Sequence, residues 1–384
     1  MDHPGLLTDL SVTVGAAPGP APLAAWDELV AAGPDSDVAQ LSAWAAVRAH
    51  AGYTPLYVLA WSGRRLLGGA MVLRRAVRGV GRIGYLPYGP VIADGDPALA
   101  GPGARQVVVE ALASALSSVA SDHLALFVQP PSGGADIARA LLDRGFRTST
   151  AGVAPAATIR VDLDRSEDEL RARLTRRLRT WTRQWPQRGV TVRVGTAADV
   201  PILARLAADT ARFQGFAPFP TEYLDMTYRQ LSPGGHAVLM IGELHGRPVV
   251  AELLTGAGSV LKSRITGLDR SSQEAAKLNA ASAVIWETIR WGRRNGYRAY
   301  DFGGVRPESV PLLRDPGGAA QDALPGPDLF KTKFGGDLHV YPPAVELIPS
   351  RVVRRGYDLL RRGGQDGAGA MIIDRVREAL RGGR

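Results

Sequence analysis

The same order of predicted secondary-structure elements occurs twice along this chain, and this repeat limits the possible folds more than any other sequence feature. In each copy, two apolar runs around a glycine turn predict a β-hairpin, and a helix then leads into a short buried strand. The first copy occupies 57–73, 106–119 and 124–128, and the second occupies 237–255, 273–295 and 298–302. Repeated helix and strand order is typical of duplicated domains. We therefore predict an α/β (α+β) protein with two tandem domains, each a mixed sheet flanked by helices.

Chain length agrees with two domains. A chain of 384 residues exceeds the size at which one core keeps growing, and a hydrophobic content of 45% is enough for a packed core in each half. We expect a flexible N-terminal arm at 1–24, domains at 25–163 and 164–345, and a basic helical tail at 346–384, with no coiled-coil arm. Nine arginines and four acidic residues in 350–384 leave three interpretations of the tail: contact with an anionic membrane, contact with tRNA, or packing on the domains.

Composition and missing motifs exclude several kinds of chemistry. The chain has no cysteine, which excludes disulfides, thiolate metal ligands and a cysteine nucleophile. The six histidines lack metal-ligand spacing, and neither a Gly-x-Ser-x-Gly turn nor an ATP-binding P-loop occurs, so we expect no metal and no cofactor. The absence of a leader and of a membrane-spanning apolar run favours the cytoplasm. The net charge of +9 favours a polyanionic partner.

A strongly basic helix is predicted at 166–186, between the two copies. Ser166 and Glu169 form a capping box at its start, and apolar residues follow at helical spacing. The stretch 171–193 holds eight arginines and no acidic residue. Guanidinium groups bind phosphate in a bidentate manner, which favours phosphate contact; an ordinary solvated helix face is the alternative. The candidate phosphate-binding residues are Arg176, Arg177 and Arg183.

Two lysines lie between aromatic residues near the end of the second copy, at 328–336. Lys331 and Lys333 alternate with Phe330 and Phe334 just before a glycine pair. Positive charge beside flat apolar rings suits the phosphates and bases of a single-stranded RNA end. The alternative interpretation is an edge strand whose lysines are only solvated.

Several sequence blocks carry a family resemblance when they are taken in order. They are 41–44 with 85–91, 145–163, 178–192, 279–291, and the strand and glycine turn at 300–305 with the lysine motif at 328–336. In this order the blocks resemble the Fem family of aminoacyl-tRNA-dependent peptidyl transferases. The resemblance implies two GNAT-like domains and transfer of an aminoacyl group from aminoacyl-tRNA, as co-substrate, to an amine. The implied acceptor is a peptidoglycan precursor or a peptide natural product, that is, an amine-bearing peptide or a nucleotide-linked molecule.

The resemblance also assigns roles to individual residues. It gives Lys331, with Lys333 as second choice, contact with the tRNA 3′ end and stabilisation of charge in the transition state. Asp94 is a candidate proton acceptor, although its spacing from the first-domain turn is one residue longer than in the family. Phe330 and Phe334 are candidates for tRNA contact. Tyr85 and Tyr88 lie in the turn where the family binds its acceptor, and Asn279 is a candidate for capping or for a hydrogen bond across the acceptor groove. Asp301, Lys262 and Arg264 are the other candidates for acceptor binding, and the last two come from a departure from the family pattern.

Five of these residues have a structural alternative or mark a departure from the family pattern. Tyr85 and Tyr88 fit turn packing equally well, and Asp301 also fits a role in ordering the glycine turn. Where relatives place an aromatic-rich strand, this chain has Lys262 and Arg264, which alternate and should share one face. Two cations there favour an acceptor that carries a carboxylate or phosphate.

Two alternative functions stay open at this point. The implied fold is also that of acyl-CoA-dependent N-acetyltransferases, which hold pyrophosphate on a glycine-rich turn between a strand and a helix. The glycine-rich sequence at 65–70 lies inside a predicted strand, and the turn at 267–273 lacks a glycine pair. Both observations disfavour binding of acyl-CoA. A tRNA-binding module without catalysis is the second alternative. The long stretch 306–328 predicts a lid, an acceptor-specific loop or a disordered segment.

Overall fold

The computed structural model describes residues 9–77, 81–314 and 323–362. The chain forms two compact units: among the described residues, one comprises 9–156 with 341–362 and the other comprises 157–340. The first boundary differs from the predicted 163/164 because the strand that starts at Ala157 is hydrogen-bonded into the second sheet. The chain then returns to the first unit after Val340, so the predicted tail at 346–384 begins inside that unit.

The first unit begins with a series of strands and helices that build most of its sheet. They are β1 (Leu10–Gly15), α1 (Pro20–Ala32), α2 (Ser42–Ala49), β2 (Thr54–Ser62), β3 (Arg65–Val77), β4 (Gly81–Pro87), β5 (Val91–Ile92), α3 (Ala104–Ser121), β6 (Ala125–Gln129), α4 (Ala135–Leu142) and β7 (Arg147–Thr148). The predicted arm at 1–24 is therefore partly ordered, since β1 pairs with β2 from Leu10 to Gly15.

The second unit repeats the mixture of strands and helices. Its elements are β8 (Ala157–Asp162), α5 (Glu167–Arg173), α6 (Arg176–Gln184), β9 (Val190–Val194), α7 (Val200–Gln214), α8 (Thr221–Leu231), β10 (Ala237–Leu244), β11 (Arg247–Ala257), β12 (Val260–Leu268), α9 (Gln273–Lys277), α10 (Ala280–Arg294), β13 (Ala299–Asp301), α11 (Ser309–Arg314), α12 (Gly326–Thr332) and β14 (Asp337–Val340).

The returning segment completes the first sheet with β15 (Val345–Leu347), and α13 (Arg351–Arg362) follows. The strand order is β1-β2-β3-β4-β6-β15-β7, with β5 paired to β3. α3 covers this sheet through the buried side chains of Val108, Leu112 and Leu116, which recur at helical spacing.

The second sheet has the order β14-β8-β13-β12-β11-β10-β9. α10 packs on one face, where Trp286 contacts the cluster that includes Leu254, and α7 packs on the other, where Leu203 contacts the cluster that includes Leu253. β12 and β13 run parallel, whereas β10, β11 and β12 are antiparallel. Two mixed sheets flanked by helices were predicted, and this fold class is confirmed.

Three local predictions differ from the structure. The helix predicted at 166–186 is divided into α5 and α6, because Leu174 is extended and the Thr175 N–H donates to the Lys333 carbonyl at 3.1 Å. The helix predicted at 273–295 is divided at Asn279, whose φ of 53° is left-handed. The lysine motif lies on the short helix α12 and its C-terminal end, not on an edge strand.

Among the described residues, none of the helices is long and apolar enough to cross a bilayer. Within the same residues no group of histidines and carboxylates is arranged to bind a metal ion.

Candidate functional site

The second unit contains a cavity of about 1090 Å³. Its wall is built from α7, β11, β12, the start of α10, and α12. Four polar side chains of this wall are chemically relevant: Glu252, Ser263, Tyr300 and Lys331. A large, mostly apolar concavity with a few placed polar groups is the usual form of a ligand site. We therefore take it as the candidate functional site.

Lys331 is one of the cations at this wall, and the fold holds its side chain in place. The Nζ atom donates to the Gly304 carbonyl oxygen and lies 3.4 Å from Asp328 Oδ1. Burial lowers the pKa of Lys331, and attraction to Asp328 opposes that shift only in part. Only 20% of the side chain is exposed, so the ammonium group has a defined position. Such a group can stabilise negative charge that develops within the cavity.

Asp328 fixes the start of α12, the helix that carries Lys331. Its Oδ2 accepts hydrogen bonds from the Arg306 N–H at 3.0 Å and the Ser309 hydroxyl at 2.7 Å. Both ends of the long predicted loop at 306–328 are therefore tied together beside Lys331. Residues 315–322 lie outside the described residues, so the prediction of a lid or acceptor-specific loop stays a prediction for that part.

The Gly304 carbonyl, which accepts the hydrogen bond from Lys331, belongs to an ordered glycine turn after β13. Gly303 has a φ of +83°, and a Cβ atom there would lie 2.5 Å from the Ser263 carbonyl oxygen, so glycine is required. Asp301 accepts hydrogen bonds from the Gly303 N–H at 2.8 Å, the Thr158 hydroxyl at 2.6 Å and Arg160 Nε at 3.0 Å. The Asp301 carboxylate is fully buried. It orders the turn, which is the structural alternative considered for this residue.

Lys262 is a buried counter-charge for that carboxylate. It pairs with Asp301 in the register of β12 and β13, and its side chain is 7% exposed. Burial raises the pKa of Asp301, but the charges of Lys262 and Arg160 and the hydrogen bonds outweigh burial, so the net shift is downward. Lys262 therefore supports the glycine turn, and its predicted contact with the acceptor stays a prediction.

Arg264 remains at the cavity wall. The register between β11 and β12 shifts at this position, with Leu253 opposite Ile265 and Leu254 opposite Ser263, so Arg264 is the extra residue of a β-bulge. Its Nε donates to the Thr255 hydroxyl at 2.7 Å. Thr255 is also the register partner of Lys262, so the two cations share one face of the sheet.

A buried carboxyl group, Glu252, lies at the same wall and was not predicted from the sequence. Its Oε1 accepts hydrogen bonds from the Ser263 hydroxyl at 2.6 Å and the Tyr300 hydroxyl at 2.9 Å, and its Oε2 lies 3.4 Å from the Thr288 hydroxyl. Burial raises the pKa of Glu252, and these hydrogen bonds oppose the shift only in part. Ser263 is half-buried, so its hydroxyl links the cavity to the carboxyl group.

The start of α10 also contributes to the wall through Asn279, Ala280 and Ala281. Asn279 precedes the helix but makes no side-chain cap. The positive end of the α10 dipole therefore lies at the cavity without a capping side chain. Asn279 therefore does not cap α10 with its side chain, and its predicted contact with the acceptor stays a prediction.

The turn between β12 and α9 does not offer free N–H groups to a pyrophosphate. Asp269 Oδ1 accepts hydrogen bonds from the Ser271 N–H at 3.0 Å, the Ser271 hydroxyl at 2.6 Å and the Ser272 N–H at 3.3 Å. The carboxylate thus already occupies the position that an anionic ligand would take, and its charge repels phosphate. This arrangement argues against acyl-CoA, as does the missing glycine pair.

The aromatic residues of the lysine motif are divided between cavity and core. Phe330 lines the cavity, whereas Phe334 is 1% exposed and packs between Phe302 and Phe330. Phe334 therefore cannot stack on a base, contrary to the prediction. Lys333 is half-buried at the end of α12, and its carbonyl receives the Thr175 N–H.

The basic segment presents an exposed row of arginines on α6. Leu178 and Trp185 are buried on its inner side, and the Trp185 indole donates to the Leu278 carbonyl at 2.8 Å. Arg171 and Arg173 are ion-paired with Glu167 and Asp337, each at 2.9 Å. In the part of the chain that the structure describes, no ion pair with a carboxylate involves the exposed side chains of Arg176, Arg177 and Arg183.

Three of the predicted site residues, Tyr85, Tyr88 and Asp94, lie in the first unit. Tyr85 is buried in a cluster with Phe127, and the rings of Tyr88 and Tyr341 are 5.3 Å apart. Asp94 is exposed on the surface, where Arg105 Nε lies 2.5 Å from its Oδ1. All three belong to the first unit, whereas the cavity wall consists of residues of the second unit. Their predicted roles stay predictions.

Comparisons with known proteins agree with this architecture. A family model described as an acetyltransferase (GNAT) domain matches residues 144–309. The crystal structure of FemX superposes with a TM-score of 0.73 at 19% identity, covering 88% of this chain and 98% of that chain. The structure of L-PGS from Bacillus licheniformis gives a TM-score of 0.53 at 13% identity, covering 91% of this chain and 98% of that chain. Fold and family model together define a tandem GNAT-fold protein.

Sequence similarity narrows the class further. Lipid II:glycine glycyltransferase of Staphylococcus epidermidis is 27% identical in an alignment of 360 positions, and the match covers 73% of this chain and 82% of that protein. Together with the order of the motif blocks and the FemX fold, this similarity confirms the predicted resemblance to the Fem family.

Proposed function

We propose that this protein transfers an aminoacyl group from aminoacyl-tRNA to an amine of a peptidoglycan precursor and so forms an amide bond. The observation that carries the proposal is the Lys331 ammonium group at the cavity wall, fixed by the Gly304 carbonyl and by Asp328. The glycyltransferase relatives support a precursor such as lipid II as acceptor and glycine as the transferred residue. An amine of a peptide natural product is the other acceptor consistent with the motifs.

The proposed reaction needs no enzyme nucleophile, because the tRNA ester is already activated. The neutral amine attacks the ester carbonyl carbon, and the electron pair of the carbonyl moves to its oxygen, whose negative charge Lys331 stabilises. The amine proton passes to the Ser263 hydroxyl, while the Ser263 proton passes to Glu252. When the C–O bond to the ribose breaks, the same path returns a proton to the leaving oxygen. The products are the amide and deacylated tRNA.

Donor and acceptor both carry phosphates, and the α6 arginines are suited to bind them. Arg176, Arg177 and Arg183 are exposed and have no described carboxylate partner, so their guanidinium groups are available. Replacing all three arginines by glutamine should weaken binding of the phosphate-bearing substrate that contacts this face of α6. For tRNA, the slope of log K against log salt should become shallower by roughly 2, at about 0.7 per phosphate contact. Titrating tRNA and precursor separately identifies the substrate concerned.

The matched control replaces Arg205, Arg229 and Arg298 by glutamine. These arginines are exposed elsewhere in the same unit, on α7, on α8 and just before β13, so the net charge changes equally. If both triple variants weaken binding to the same extent, the effect is one of overall charge, and α6 is an ordinary solvated face.

Arg264 offers a separate prediction about the acceptor. Arg264 lines the cavity, and loss of its charge should weaken binding of an acceptor that carries a carboxylate or phosphate. We expect Arg264→Tyr to raise the apparent KM for the precursor about tenfold, as for loss of one charge-assisted contact, and to leave the KM for aminoacyl-tRNA unchanged. Arg264→Lys, which keeps the charge, is the control. A higher KM for tRNA alone would assign this bulge to the donor.

One set of incubations tests the proposed function against its alternatives. The protein is mixed with glycyl-tRNA and a lipid-linked or nucleotide-linked peptidoglycan precursor, and product masses are recorded. A precursor heavier by one glycine residue supports the proposal. Acetyl-CoA turnover on the same acceptors would instead support an N-acetyltransferase, which the GNAT family model leaves as the second candidate. Retardation of tRNA in a gel without any product would indicate a binding module.

A further inference from the structure

The C-terminal helix α13 exposes apolar side chains on its outer side. Val352 is 80% exposed and Leu359 is 67% exposed. They are seven residues apart, which is two helical turns, so they lie on the same face. Arg351 and Arg355 are also exposed on this helix. Two large aliphatic groups with arginines beside them form an amphipathic surface that faces away from the sheet.

The inner side of α13 is firmly attached to the first unit. Arg354 Nη1 lies 2.7 Å from Glu346 Oε1, and Glu346, which is 2% exposed, also accepts from the Ser149 hydroxyl at 2.6 Å. Val353 and Tyr357 pack against the buried cluster of Ile83, Tyr85, Phe127 and Ile348. Because this side is fixed, Val352 and Leu359 are held outward by the fold and cannot turn inward without breaking these contacts.

We propose that the outer face of α13, defined by Arg351, Val352, Arg355 and Leu359, docks on an anionic membrane surface. Aliphatic side chains gain free energy by entering the acyl boundary, and the arginines beside them bind lipid phosphates. A nucleic acid would use the arginines but not the aliphatic groups, since bases stack on aromatic rings. The net charge of +9 adds a general attraction to an anionic bilayer. This docking is independent of the transfer reaction.

Sedimentation of the full-length protein with vesicles tests the proposal. We expect binding to vesicles of mixed phosphatidylglycerol and phosphatidylcholine and much weaker binding to phosphatidylcholine alone. Val352→Ser with Leu359→Ser should lower the partition coefficient about tenfold or more, through loss of two inserted aliphatic groups. Arg351→Gln with Arg355→Gln should lower it about fivefold per charge at low salt. Arg354 is left unchanged because it anchors the helix.

The matched control is Val14→Ser with Val194→Ser. These valines are 51% and 49% exposed but lie on strands β1 and β9. Equal loss of vesicle binding in this control would overturn the proposal. So would unchanged binding in the Val352 and Leu359 variant, or a shift in its oligomeric state or RNA affinity instead of its vesicle binding. A marked fall in its melting temperature would show that the rest of the chain covers this face, which also overturns the proposal.

Discussion

Lys331→Ala should lower the rate of aminoacyl transfer by about a hundredfold, the effect expected when one preorganised electrostatic contact to a transition state is lost. The ammonium group is fixed by the Gly304 carbonyl and by Asp328, so neither water nor a neighbouring side chain replaces it without rearrangement. Single-turnover kinetics with glycyl-tRNA and a peptidoglycan precursor measures the chemical step directly. The main loss should be in this step and not in tRNA affinity.

Lys331→Met and Lys333→Ala are the appropriate controls for this result. Lys331→Met keeps the length of the side chain, so a similar loss assigns the effect to the charge and not to packing. Lys333 precedes the buried Phe334 but does not line the cavity among the described residues, so Lys333→Ala should retain most of the activity. Equal losses of transfer rate for Lys331→Ala and Lys333→Ala would assign charge stabilisation to the motif as a whole and not to Lys331. A near-normal rate for Lys331→Ala would contradict the assignment.

The lysine motif could be singled out from the sequence, but its conformation could not be predicted. Alternating Lys331, Thr332 and Lys333 between phenylalanines resembles a strand with period two. The structure instead begins a helix at Gly326 with Pro327 near its start, and this short helix is set by the buried Asp328. Those contacts come from Arg306 and Ser309, far along the chain, and local periodicity carries no information about them.

The fold class and the basic segment could also be predicted from the sequence, whereas the partners of the charged residues could not. The duplicated hairpin, helix and strand order predicted both sheets. The division of the basic helix at Leu174 depends on the Lys333 carbonyl, which is supplied by a distant segment. Lys262 and Asp301 were predicted as acceptor contacts, with ordering of the glycine turn as the alternative for Asp301. The parallel pairing of β12 and β13 buries the two residues together.

Glu252 is the clearest functional candidate that the sequence analysis missed. It is the one acidic residue within the apolar strand Arg247–Ala257, and that isolation was the available signal. An acid in such a strand is costly unless it is hydrogen-bonded. Its three donors come from β12, β13 and α10, so its environment exists only in the folded unit.

The second large effect is expected for Glu252→Gln. If the carboxyl group receives the amine proton through Ser263, its replacement by an amide of the same shape should lower the transfer rate about a hundredfold, as for loss of a general base. Ser263→Ala should give a comparable loss, because it breaks the link to the cavity, whereas Thr288→Val should have little effect on rate. The pH profile distinguishes the roles: the rise of the rate with pH that reflects Glu252 ionisation should disappear in the Gln variant.

Measurements of the unfolding free energy test the pKa of Glu252 independently of enzyme activity. Burial raises the pKa of Glu252 above its ordinary value of 4.5 in the folded state. The group therefore contributes its full stability below the unfolded pKa and loses that contribution as pH rises through the folded pKa. Urea unfolding of wild type and Glu252→Gln across this range should show the difference in unfolding free energy shifting in favour of the Gln variant as pH rises. A difference that is independent of pH would mean that Glu252 keeps an ordinary pKa in the folded protein, and a carboxylate already ionised with an ordinary pKa would be a much weaker proton acceptor for the amine.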